Sequence, residues 1–383
     1  MDQEDLMATD INKRLAQLRA RRDGSDRLTM DSAVLNEFLS KALGTGTQTI
    51  EESWEKRASV DSKHTLYALG AMQPVSDTYT RVSVETAERI GNQLRSRLGK
   101  AGIDAEFRLQ GSVPLNVHIR RVSDVDLLTI DTGFLVYSTS GMQSQAGYYV
   151  NTSKNSLSVL QTLRKQIEIE LPLAFPQAVV DATGAKAVKI HGGSLPRMVD
   201  VVPAHWYDTN DYQASRTESD RGIQILDKRA GVPLTNFPFL HIKRISDKCN
   251  SVGGGLRKAI RLCKSVKADA ESEGNAISIP SFDIASMMYH GDVGNLAFGQ
   301  YFELMILAET QRHLDVLARN KEYAETLMVP DGSRRIIDTP AKWLGLLSLS
   351  REMDDLLRRV AAEHGAFGSS LEDCRNALRF LNQ

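Results

Sequence analysis

Apolar residues recur every three or four positions over residues 75–102, "VSDTYTRVSVETAERIGNQLRSRLGKAG". Val84, Ala87, Ile90, Leu94 and Leu98 fall on one face, and Lys100-Ala101-Gly102 supplies a stop. The spacing predicts a long amphipathic helix. Upstream, residues 1–30 are polar and mostly charged, predicting helix interrupted by a loose "RRDGSDR" joint. Helical spacing returns over 30–43 and 49–72. After residue 102 the period shortens. "AEFRLQG" (105–111) alternates into "SVPLNVHI" (112–119), and "SDVDLLTID" (123–131) reads as a strand. Residues 155–171 return to helix, and 177–207 read as strands joined by glycine-containing turns. From about residue 235 the pattern is helical, in segments 239–252, 255–272, 281–290, 296–320, 340–364 and 370–382.

This order predicts an α/β (α+β) protein: helices, then a twisted mixed sheet, then a helical lobe. The expected boundaries are an N-terminal helical segment 1–75, a sheet lobe 76–232 and a helical C-terminal lobe 233–383. The helix near 77–100 is expected to act as a spine touching both lobes, and a cleft between lobes is a natural ligand site. The 383 residues suit two or three units at roughly 100–200 residues each. Net charge is −1, so the molecule as a whole is not an electrostatic trap for nucleic acid or an acidic membrane. No stretch approaches the roughly 20 apolar residues of a membrane span, and the N-terminus has no apolar signal core. Cys249, Cys263 and Cys374 are odd in number and far apart, which suits a reduced cytoplasm, and no Cys/His cluster has zinc spacing.

The chemistry gathers around "LQGSVPLNVHIRRVSDVDLLTI" (109–130). Side chains alternate along a strand, so Asp124 and Asp126 share a face while Val125 and Leu127 pack the other. A bare Asp-x-Asp is common by chance and reads equally well as a wet strand edge. Three features change the picture. Gln110-Gly111-Ser112 precedes the pair at a possible strand-to-helix turn. There Gly111 permits close backbone approach, and the Ser112 hydroxyl and nearby N–H groups can bind phosphate. Asp200 sits in "RMVDVVP", where burying a carboxylate is costly without a cation or partner. The "HGGS" turn just before it suits a hairpin laying Asp200 beside the first pair. Three converging carboxylates suit two Mg²⁺ ions (Mn²⁺ as an alternative), which can activate a hydroxyl and stabilise leaving pyrophosphate. Phosphate cradle plus acidic metal ligands is the chemistry of nucleotidyl transfer.

Gly111-Ser112, eleven residues, Asp124-Val125-Asp126 and then Asp200 resembles the DNA polymerase β-like nucleotidyltransferase superfamily. With the long preceding helix, "AIRLCKSVK" (259–267) and "IPSFDIASMM" (279–288), the chain resembles its cGAS/DncV-like branch, the CD-NTases, over roughly residues 75–340. The resemblance implies a polymerase β-like lobe. It also implies a cytoplasmic, monomeric enzyme that joins nucleoside triphosphates, ATP and/or GTP, into a cyclic di- or trinucleotide. That messenger would serve bacterial anti-phage (CBASS) signalling through a nucleotide-activated effector. The zinc-binding insertion of the animal DNA sensor has no counterpart, so no obligatory nucleic-acid activator is expected. "LNVHIRR" (115–121) is chain-specific. Two other readings stay open: a superfamily enzyme modifying RNA ends or a small molecule, and a catalytically idle nucleotide-binding scaffold.

The resemblance further implies that Lys264 and Ser281 reach the donor triphosphate and that Phe282 stacks on its base. The local alternatives are a solvated helix lysine, an N-cap serine and a core phenylalanine. Most of Lys243, Arg244, Lys248, Arg257, Lys258, Arg261 and Lys267 are expected on solvated helix faces. His205 is expected after a strand and His290 at a helix end, neither beside a nucleophile, which disfavours a Ser-His-Asp hydrolase.

Overall fold

The structure, a computed structural model, describes residues 10–23, 52–120, 124–150 and 152–381. The helix expected over 30–43 lies outside the described residues. The longer described helices are α1 (Ile11–Asp23), α2 (Lys63–Met72), α3 (Asp77–Lys100), α4 (Ser156–Ala174), α5 (Pro238–Ser251), α6 (Gly255–Ser272), α7 (Ser281–Tyr289), α8 (Leu304–Arg319), α9 (Pro340–Glu363) and α10 (Leu371–Leu378). The strands are β1 (Ala105–Gln110), β2 (Val125–Tyr137), β3 (Val179–Asp181), β4 (Val188–Gly192), β5 (Leu195–Asp208), β6 (Gly222–Asp227) and β7 (Val232–Asn236).

The chain forms two compact units. One holds residues 76–116 and 123–246; the other holds the segments up to 75, 117–122 and 247–383. The N-terminal and C-terminal helical segments, expected apart, therefore belong to one unit.

The first of these units is a seven-stranded mixed sheet in the order β1-β2-β5-β4-β3, with β6 pairing β5 and β7 pairing β6. β2 and β5 run parallel, and the other pairings are antiparallel. β5 is long enough to pair β4 along its first half and β6 along its second. α3 starts on a Ser76 cap, whose hydroxyl accepts from the Tyr79 amide, and stops before Gly102 at φ 78°. Its Ala87, Ile90, Leu94 and Leu98 are fully buried. They pack with Leu163, Ile167 and Leu171 of α4 onto Val125, Leu127, Val199 and Val201 of the sheet. Leu128, Ile130, Val202 and Trp206 form a core on the opposite face.

The other unit is helical. α6 packs against α2, α7, α8 and α9, and its Leu256, Ile260, Cys263 and Val266 are fully buried. All three cysteines are buried and unpaired. No described helix is long and apolar enough to cross a membrane.

Several expectations are corrected. "SVPLNVHI" is not a strand: residues 111–116 are turn, with Asn116 at φ 55°. Val117, His118 and Ile119 are buried without regular structure. Of the helix expected over 49–72, the described residues from 52 onward form a 3-10 turn, Ser53–Lys56, followed by α2, because Ser59–Ser62 closes a turn between them. The helix expected over 296–320 breaks near Gly299, where a Cβ would meet Ile306 at 2.0 Å. The β6–β7 hairpin lies beyond residue 207, the end of the expected strands.

Candidate active site

Strand register brings the chemistry together. Gln110 on β1 pairs with Asp126 on β2, Asp126 with Asp200 on β5, and Asp200 with Lys189 on β4. Cross-strand partners project to the same face, so these four side chains form one row across four strands. Asp124, one residue ahead of β2 and two before Asp126, belongs to the same face. The residues between them do the packing: Val125, Val199 and Val201 are buried beneath this row.

Asp200 reaches Asp126 through the parallel β2–β5 pairing. The "HGGS" turn instead joins β5 to β4, the strand that carries Lys189. Lys189 was missed by sequence reasoning. Its Nζ donates to Asp124 Oδ2 at 3.1 Å and lies 3.6 Å from Asp200 Oδ1. The second distance is an ion-pair contact too long for a hydrogen bond, and Asp200 Oδ1 is buried with no hydrogen-bond partner. Burial raises the Asp200 carboxyl above its ordinary range; Lys189 pulls it down and Asp124 pushes it up. Burial works against the Lys189 charge too. The hydrogen bond to Asp124 and the charge of Asp200 nevertheless hold its ammonium above the ordinary lysine range.

The phosphate-cradle candidates stand at the end of β1. Gly111 has φ 76°, a conformation that suits glycine, and a Cβ there would meet Asp126 Oδ2 at 2.2 Å. β1 therefore runs into a tight turn rather than a helix, and the turn closes directly on Asp126. Ser112 follows it, half-buried.

Among the described residues, no three His, Cys, Asp or Glu side chains stand close enough to hold a metal ion as they are. Asp124 and Asp200 are gathered round Lys189, and Asp126 lies against Gly111. Donor type and placement nonetheless fit a hard divalent ion. The donors are carboxylate oxygens on one face, and one of them, Asp200 Oδ1, is buried and unpartnered.

The other predicted residues lie in the helical unit. Lys264 is not a solvated helix lysine; it is buried, and its Nζ donates to Val117 O at 2.9 Å. Ser281 is the first residue of α7. Pro280 occupies the cap position, so Ser281 is no N-cap. Phe282 is 38% exposed rather than core, with the Arg334 guanidinium 5.3 Å from its ring centre. The neighbouring cations are also less solvated than expected. Arg261 is buried and donates to Met72 O, and burial pulls its guanidinium down to about 9. Lys248 donates to Gly291 O at 2.8 Å, and Lys258 pairs with buried Glu303.

His205 is a further correction. It lies inside β5, fully buried, with Ser156 Oγ 2.7 Å from Nε2. Its Nδ1 lies 3.0 Å from Trp206 O, which can only accept, so Nδ1 carries the proton. A backbone carbonyl thus orients the ring where a triad would use a carboxylate. Burial lowers the His205 pKa.

Comparison with known proteins gives concordant results. Residues 243–345 match the family described as the cGAS/DncV-like nucleotidyltransferase C-terminal helical domain. The chain is 47% identical over 314 residues to a cyclic dinucleotide synthase, CdnE, of Yersinia aleksiciae, covering 82% of this chain and 81% of that protein. It is 30% identical over 276 residues to a c-di-GMP synthase of a Lachnospiraceae bacterium, covering 67% and 77%. The solved structure of a STING-associated CdnE c-di-GMP synthase from Capnocytophaga granulosa matches at TM-score 0.67 and 25% identity, covering 92% of this chain and 99% of that one.

Proposed function

We propose, from the premise that this chain belongs to the cGAS/DncV-like nucleotidyltransferase family, that it joins two nucleoside triphosphates into a cyclic dinucleotide. The observation that carries this reading is the row Gln110–Asp126–Asp200, with Asp124 on the same face and the left-handed Gly111 turn against Asp126. The identity to a cyclic dinucleotide synthase over most of the chain supports it.

In each transfer an acceptor hydroxyl attacks the α-phosphorus of a bound triphosphate. A new P–O bond forms as the acceptor O–H bond breaks and its proton passes to solvent, the bond to the β-phosphate oxygen breaks, and pyrophosphate leaves. The first transfer gives a linear intermediate and the second closes the ring. The Gly111-Ser112 turn offers backbone N–H groups and a hydroxyl to the triphosphate. Asp124, Asp126 and Asp200 would hold divalent ions, Mg²⁺ by donor type, which when bound acidify the acceptor hydroxyl and offset charge on the leaving group. Asp124 and Asp126 serve the donor side, and Asp200 completes the acceptor side. Lys264, Ser281 and Phe282 are assigned to the donor nucleotide. The product would address a nucleotide-activated effector in anti-phage defence, with no nucleic-acid activator.

The test is incubation of the purified chain with labelled nucleoside triphosphates and Mg²⁺, then phosphatase treatment and mass spectrometry. A phosphatase-resistant cyclic dinucleotide is expected. Labelled RNA ends or a modified small molecule instead would assign a different transferase, and nucleotide binding without pyrophosphate release would make the chain a scaffold.

A further inference from the structure

Lys189 is the one cation that meets both Asp124 and Asp200 in the described ion pairs. It is anchored on β4, next to β5, yet its ammonium reaches Asp124 at the start of β2, on the far side of β5. The side chain therefore lies across the acid row, over Asp200. Its other cross-strand neighbour, Asp181 on β3, also attracts it, but Asp181 Oδ1 accepts from the Thr183 amide at 2.8 Å and hydroxyl at 2.6 Å, and the described ion pairs of Lys189 are those with Asp124 and Asp200. The ammonium is thus committed to the carboxylates assigned above to divalent ions. Its side chain is 40% exposed, so solvent-side space exists for it to leave.

An ammonium on those oxygens and a divalent ion at ligand distance repel each other, so each weakens the hold of the other on the row. We propose that Lys189 is a positioning residue. Its ammonium is the resident counter-ion of the acid row in the nucleotide-free protein, and divalent ions enter by displacing it. This rests on the reading that Asp124, Asp126 and Asp200 hold such ions. Two consequences follow from charge alone. The metal-free row is held in place without a metal, and free divalent ions bind weakly until a triphosphate brings its own negative charge.

The experiment uses Mn²⁺ and the full, nucleotide-free chain, with free Mn²⁺ read by electron paramagnetic resonance. Lys189→Met removes the charge and keeps the stem, and should bind Mn²⁺ roughly ten-fold more tightly than wild type, about 1.4 kcal/mol. Lys189→Arg retains the charge and should stay near wild type. Equal or weaker Mn²⁺ binding by Lys189→Met overturns the proposal while leaving the acid-site reading intact. If wild type and Lys189→Met bind no more Mn²⁺ than Asp124→Asn/Asp126→Asn, the acid-site reading itself fails and takes the proposal with it. A second measurement needs no variant: reductive methylation of wild type, read by peptide mass spectrometry, with exposed Lys100 as reference. Mn²⁺ should raise labelling at Lys189. Unchanged or reduced labelling on Mn²⁺ binding overturns the displacement.

Discussion

Replacing Asp124 and Asp126 together by Asn removes two charges from the acid row with little change in shape. Product formation should vanish while the thermal midpoint stays close to wild type, because the half-exposed Asp124–Lys189 ion pair is worth only about 0–1 kcal/mol and Asn keeps an acceptor oxygen there. Residual product in that variant would refute the metal assignment. Asp200→Ala should separate turnover from binding: turnover falls steeply and nucleotide affinity changes little, since Asp124 and Asp126 remain for the donor side. Equal losses in both would contradict that division. Lys264 requires two readouts because it is buried against Val117 O. Lys264→Met keeps the stem and loses the ammonium. It should cost about 1.5–3 kcal/mol of stability for the lost charge-assisted hydrogen bond and raise the KM for triphosphate roughly ten-fold. A lowered midpoint with unchanged KM would leave Lys264 as a strut for the Val117 segment alone. Each of these positions was visible in the sequence by residue type. Lys189 was not, because one lysine before a Gly-Gly turn carries no signal until strand register assigns its neighbours.

At the scale of elements, α2 starts without a side-chain cap of its own at Ser62. Glu363, at the end of α9, supplies the missing acceptors. It takes hydrogen bonds from the amides of His64 and Thr65 at 2.8 Å and from the Thr65 hydroxyl at 2.7 Å. This answers the orphan donors of a helix start and puts a negative charge at the positive end of the dipole. Glu363→Ala should therefore cost about 1–3 kcal/mol, the penalty for stranded buried donors. Burial opposes ionisation of Glu363, but the bonds from His64 and Thr65 outweigh it and hold its pKa below the ordinary carboxylate range. A depressed native pKa gives stability that is present above the unfolded value, about 4.3, and is lost as pH falls through the native one. The gap in thermal midpoint between wild type and Glu363→Gln should thus be constant above about pH 5 and shrink in more acid solution. A gap that persists unchanged through the acid range would contradict this account. The β4–β5 hairpin shows why such elements resist a sequence reading. Its register shifts between Ile190 and Gly192, so counting back from the turn gives Lys189 the wrong partner.

For the whole molecule, activity should be independent of nucleic acid. The motivation is the net charge of −1, together with local cations already engaged by protein acceptors: Arg261 on Met72 O, Lys248 on Gly291 O and Lys258 on Glu303. Product yield should be the same after nuclease treatment and with added duplex. Strict dependence on duplex would overturn this prediction.

By itself the sequence determined the strongly periodic elements and the residue types of the candidate site. α3 is legible because Ala87, Ile90, Leu94 and Leu98 repeat at helical spacing up to a Gly102 stop. Asp124 and Asp126 are legible because a strand puts alternate residues on one face. These are local facts, governed by backbone periodicity and steric limits within a few residues. Tertiary structure alone decided which strands are neighbours. The parallel β2–β5 pairing lays Asp200 beside Asp126, β4 adds Lys189, and the end of β1 sets Gly111 against Asp126. It also decided that Lys264 is buried and that "SVPLNVHI" is not a strand, although its alternation resembles one. The physical reason is that register and burial depend on hydrogen bonds and packing between segments tens of residues apart. A local pattern permits several such pairings and does not choose among them.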